Sequence, residues 1–71
     1  MKLPRDVSGA EAVRALRRLG FVVSGQEGSH IRLVKGECRV TIPNHKVLLP
    51  KTLQSIVKQA GISVEVFRDN L

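Results

Sequence analysis

Apolar residues recur at helical spacing near both ends of the chain and at alternating spacing in its middle. From Gly9 to Leu19, Ala12, Val13, Ala15, Leu16 and Leu19 gather on one side of a helical wheel, leaving Arg14, Arg17 and Arg18 on the other. Ser8 and Glu11 form a capping box: the serine hydroxyl can accept from a free amide of the first turn, and the glutamate can reach back to the cap amide. Gly20 supplies a left-handed stop. A second helical stripe, Leu53, Ile56, Val57 and Ala60, precedes Gly61, and its outer side carries Lys51, Ser55 and Lys58. Ser63 can cap a final short helical turn through Phe67, which reads as a core residue.

Between the helices lie three β-type runs, Phe21 to Ser24, His30 to Val34 and Cys38 to Ile42. They are separated by glycine-containing turns around Gly25 to Gly28 and Lys35 to Glu37. Ile31 and Leu33 alternate with His30 and Arg32, and Val40 and Ile42 alternate with Arg39 and Thr41. If the aliphatic sides face the helices, one open face of an antiparallel meander carries His30, Arg32, Arg39 and Thr41. Pro43 ends the third run, and Asn44 to Pro50 form a connection containing His45 and Lys46. The expected architecture is α+β, a two-layer sandwich in α-β-β-β-α order with a short C-terminal helical turn.

With 71 residues there is room for one modest core. Twelve basic against six acidic residues give a net charge of +6, which favours phosphate backbones or an acidic partner. Phe21 and Phe67 are the only aromatics, so base stacking on an aromatic platform is not the expected binding mode. The lone Cys38 cannot form an internal disulfide, no leading apolar stretch resembles a secretory signal, and no apolar run approaches the ~20 residues needed to cross a bilayer. A cytoplasmic protein with no membrane partner is expected.

Among the residues that can carry chemistry, His30 stands out in the run Gly28, Ser29, His30, Ile31, Arg32, where glycine leads one imidazole into a strand. Histidine titrates closest to neutrality and can serve as a general base or acid. A structural histidine is the plainer alternative. Arg32, two residues along on the same strand face, can pair with the phosphate through two parallel hydrogen bonds and stabilise the extra negative charge of the transition state. Lys35 and Arg39 suit neighbouring phosphates, or are ordinary solvated charges. His45 and Lys46 are the other candidates in reach of the sheet, His45 being equally suited to a turn or capping role. The arginines of the first helix, and Lys51 and Lys58 of the second, can track an RNA backbone or meet an acidic protein, although amphipathic helices have charged outer faces in any case. His30, Cys38 and His45 are all zinc-binding residue types, but no close pair such as CxxC or HxxxH occurs, and no metal site or other cofactor is expected. Ser29 beside His30 lacks an acidic partner for nucleophilic catalysis.

Four segments together resemble the HicA, or YcfA-like, toxin family. They are Leu16-Arg17-Arg18-Leu19-Gly20-Phe21, Gly28-Ser29-His30, Thr41-Ile42-Pro43-Asn44-His45, and Thr52 to Ser63. The resemblance spans nearly the whole chain and implies a single HicA-like domain over residues 1–71 with a double-stranded-RNA-binding-domain-like fold. It further implies the toxin of a type II toxin-antitoxin system, an endoribonuclease that cleaves mRNA, with His30 catalytic, neutralised by a HicB-like antitoxin. Many members carry a second histidine directly after the first, where this chain has Ile31. RNA contacts are expected from Ser29, Arg32, Lys35, Arg39, His45 and Lys46. The alternatives are a non-catalytic RNA-binding module and a pure protein-interaction domain.

Overall fold

A computed structural model describes residues 4–71, so the first three residues of the expected domain lie outside it. Helix α1 spans Gly9–Arg18, followed by strands β1 (Val22–Glu27), β2 (His30–Lys35) and β3 (Cys38–Pro43), and helices α2 (Pro50–Ala60) and α3 (Val64–Asp69). The strands form an antiparallel sheet in the order β1-β2-β3. The α+β class and the α-β-β-β-α order are those expected, and the final turn is a helix of 6 residues.

The helix ends follow from local chemistry. The capping box forms: the Glu11 amide donates to Ser8 Oγ at 3.0 Å, and the Ser8 amide donates to Glu11 Oε1 at 3.0 Å. After α1, Gly20 adopts φ +101°, the Phe21 amide donates to the Leu16 carbonyl and the Gly20 amide to the Arg17 carbonyl. That is the Schellman closure, and it repeats at Gly61 after α2. Lys35 reinforces the end of α1, its ammonium donating to the Leu19 carbonyl at 2.7 Å and standing 6.0 Å from the centre of the Phe21 ring.

One cluster of buried side chains joins the layers. Ala12, Ala15 and Leu16 of α1, Leu33, Val40 and Ile42 of the sheet, Leu53, Ile56 and Val57 of α2, and Phe67 of α3 meet there. Each large aliphatic side chain so buried contributes about 1.5–3 kcal/mol. The alternation reads as expected: Leu33, Val40 and Ile42 are buried and Ile31 is half-buried, while His30, Arg32, Arg39 and Thr41 are exposed. Among the described residues no helix is long and apolar enough to cross a membrane.

The first hairpin departs from expectation. Rather than stopping at Ser24, β1 continues to Glu27, and the turn shrinks to Gly28 and Ser29, with Gly28 at φ +60°. Two-residue turns need a positive φ, and glycine provides it without steric cost. Gly25 is a strand residue beside a bulge at Ser24, where the register shifts between Val23 and Gly25. No hydrophobic alternation marks this half of β1, because every residue of the strand is exposed.

Candidate nucleic-acid interface

The segments carrying Gly28-Ser29-His30 and Thr41-Ile42-Pro43-Asn44-His45 come together at one end of the sheet. His30 pairs with Pro43 across β2 and β3, and the Asn44 amide donates to the Ser29 carbonyl at 2.6 Å. Behind them, the Gly9 amide donates to the His45 carbonyl at 2.8 Å. A Cβ on Gly9 would run into the Pro43 carbonyl and the Asn44 backbone. Glycine at the start of α1 thus lets the connection after β3 lie directly against the helix, and that connection holds the strand end facing His30.

His30 is exposed and lines an open cleft of about 320 Å³ along the outer edge of β3. Thr41 and Pro43 form its sheet wall, and Lys51, Thr52, Ser55 and Gln59 of α2 form the other. α2 is held against this edge by an outward-facing Thr41 amide, which donates to Gln59 Oε1 at 3.3 Å. The lining contains one imidazole, one ammonium and several hydrogen-bonding groups, and no carboxylate. Such a surface suits an anion.

A second hollow lies beside it on the open face, lined among others by Ser24, Arg32, Arg39 and Thr41. Thr41 borders both, so the basic surface runs from Arg39 through Arg32 towards His30 and Lys51. Within it, Glu27 stands opposite His30 in the β1-β2 register, and its carboxylate pairs with the Arg32 guanidinium. Both side chains are well exposed, so the ion pair adds little stability. Alternation along β2 puts Arg32 on the side of the sheet where His30 lies, and Glu27 engages it there.

The remaining candidates are distributed differently. Ser29 occupies the exposed hairpin turn beside His30. Lys35 alternates with Arg32 along β2 and so lies on the helix side of the sheet, engaged at the end of α1 rather than at the cleft. His45 and Lys46 are exposed in the connection to α2 but do not line the cleft; the His45 backbone bonds to Gly9 and Pro43. Cys38 pairs with Lys35 at the opposite end of β2 from His30, which separates it from both histidines. Ile31 packs partly against the core, so an apolar residue suits that position.

The places of Glu27 and of one row of α2 beside His30 were not evident from the sequence. Glu27 reaches His30 only because the hairpin turn is two residues long, and Gly28-Ser29 between strand-like flanks was the available signal. Lys51, Ser55 and Gln59 recur four residues apart on one row of α2, but only the packing of that helix on β3 shows that the row borders the imidazole.

No curated protein sequence matches the chain. The family model described as the HicA toxin of bacterial toxin-antitoxin systems matches residues 9–62, from the start of α1 to just beyond the close of α2. That span contains His30, both walls of the cleft and the Arg32-Arg39 hollow. The chain belongs to the HicA toxin family.

Proposed function

We propose that this toxin is a metal-independent endoribonuclease that cleaves mRNA in the cytoplasm and is held inactive by a HicB-like antitoxin covering the His30 face. The observation that carries the reading is the cleft itself: an exposed imidazole in an anion-suited, carboxylate-free hollow continuous with an arginine-bearing sheet face. RNA supplies its own nucleophile. Neutral His30 takes the proton from a ribose 2′-hydroxyl, the 2′-oxygen bonds to phosphorus, and the bond to the 5′-oxygen breaks. The departing 5′-oxygen takes a proton from a solvent water, and the hydroxide left behind takes the proton back from His30, which restores the neutral imidazole. The products are a 2′,3′-cyclic phosphate end and a 5′-hydroxyl end, with no metal needed to generate the nucleophile. One positioned base is worth about 10²–10⁴ in rate.

Arg32 and Arg39 hold phosphates flanking the cleavage point, and Ser29, His45 and Lys46 contact the RNA outside the cleft. These contacts position the strand without reading its sequence. Labelled RNA incubated with the protein in chelator is expected to yield fragments ending in cyclic phosphate. Fragments with 3′-hydroxyl ends would exclude attack by the 2′-oxygen, and a shifted but intact RNA would leave a binding module.

A further inference from the structure

The cleft pairs His30 with a group from another element. Lys51, in the first turn of α2, is the one lysine or arginine lining the same hollow, and no carboxylate lines it. We infer that Lys51, rather than Arg32, holds the scissile phosphate and stabilises the charge that builds on it; this rests on the ribonuclease reading above. Arg32 is engaged by Glu27 and opens into the neighbouring hollow with Arg39. Among the described residues the one ion pair is that between Arg32 and Glu27, so the Lys51 ammonium has no carboxylate to leave before meeting a phosphate. Its backbone is also fixed. The buried stripe Leu53, Ile56, Val57 and Ala60 sets the rotation of α2 on the sheet, and Gln59, two turns along the row of Lys51, accepts from the β3 edge at Thr41.

The chemistry divides between the two groups. As the 2′-oxygen bonds to phosphorus and the 5′-oxygen begins to leave, the proton goes to His30 and negative charge accumulates on the non-bridging oxygens. An ammonium placed there binds the transition state more strongly than the ground state, and such an interaction raises kcat. Lys51 exchanges no proton in this step. A lysine that only tracked the RNA backbone would act on binding alone, raising KM and leaving kcat unchanged.

The test compares Lys51→Gln, Lys51→Arg, Arg32→Gln and His30→Ala in cleavage of one short RNA, with thermal unfolding of each to establish folding. Lys51 and Arg32 are both exposed, so neither substitution disturbs the core. Lys51→Gln is expected to lower kcat on the order of 10²-fold, with partial recovery in Lys51→Arg, while Arg32→Gln chiefly raises KM. Unchanged kcat in Lys51→Gln beside an inactive His30→Ala would overturn the Lys51 assignment and leave the ribonuclease reading intact. RNA left uncut by the wild-type protein would overturn both.

Discussion

On its helix-covered face the sheet presents Leu33, Val40 and Ile42, all buried, whereas on its other face His30, Arg32, Arg39 and Thr41 are all exposed. The two sets alternate along the same two strands, so their difference comes from which way each side chain points. Leu33, Val40 and Ile42 lose water and gain packing; on the open face the groups keep their water and make few contacts with one another. Among the described residues no buried side-chain polar atom lacks a partner, and no polar or charged residue is fully buried. Stability therefore resides on one face and the candidate chemistry on the other. Substitutions can separate them.

The largest expected effect tests that separation directly. Phe67 is fully buried, closing α3 onto the core, and Phe67→Ala is expected to cost about 3–5 kcal/mol in denaturant unfolding. His30→Ala removes an exposed side chain with no protein hydrogen bond among the described residues. Its unfolding free energy is expected to stay within about 0.5 kcal/mol of wild type while RNA cleavage falls about 10²–10⁴-fold. A His30→Ala protein that unfolds early would join the two faces, and would make the imidazole structural.

Gly9 is where they touch. Its missing side chain lets the chain leaving β3 approach α1, directly after Pro43, the partner of His30. Gly9→Ala forces a Cβ against the Pro43 and Asn44 backbone, with an expected cost of about 1–3 kcal/mol. It is also expected to lower cleavage by moving the strand end opposite His30. Reduced stability with full activity per folded molecule would show that the cleft tolerates movement of this connection.

The capping box gives a smaller effect with a defined pH dependence. The Ser8 backbone amide, then the Ser8 hydroxyl, with a lesser contribution from Arg14, hold the Glu11 carboxyl below the usual glutamate range. Because the folded-state value is depressed, the unfolded chain binds the proton more readily. The stabilisation is complete above the unfolded value and is lost as pH falls through the folded value. Glu11→Gln is expected to be less stable than wild type at neutral pH, with the difference closing in acid. Ser8→Ala, which removes the cap oxygen, is expected to cost about 1 kcal/mol. Thermal unfolding of both variants at neutral and acidic pH checks the sign, and a Glu11→Gln deficit that persisted in acid would rule out a contribution from the charge.

The helices and the face assignment were legible in the sequence because each has a local cause: Ser8 with Glu11, Gly20 and Gly61 at helix ends, and alternation from His30 to Leu33 and from Arg39 to Ile42. The far half of β1 was not. Ser24, Gly25, Gln26 and Glu27 are all exposed, so no burial pattern marks them, and it is backbone pairing to β2 and the turn at Gly28 that make them a strand. His30 was legible through its setting and its family signature, but its neighbours were not. Lys51 follows it by more than twenty residues and reads along the chain as part of a solvated helix face. His45, closer in sequence, is held by its backbone against Gly9 and Pro43 and does not line the cleft.

Glu27 provides the finest test of the open face. It is the carboxylate opposite His30 and it occupies Arg32, so it both lowers the positive potential where RNA is expected to lie and competes for a phosphate-binding guanidinium. An exposed ion pair is worth about 0.2–1 kcal/mol, so breaking it should barely change folding. Glu27→Gln keeps the shape and removes the charge. RNA affinity is expected to rise about 1.4- to 5-fold, the same energy range expressed as a ratio of binding constants. Freeing one cation should also steepen the dependence of log K on log salt by about 0.7, the increment for one phosphate of a single strand. Filter binding across a salt series, with His30→Ala as the background to prevent cleavage, reads both quantities. Weaker binding in Glu27→Gln, with an unchanged salt slope, would mean that the carboxylate aims Arg32 at the RNA instead of withholding it.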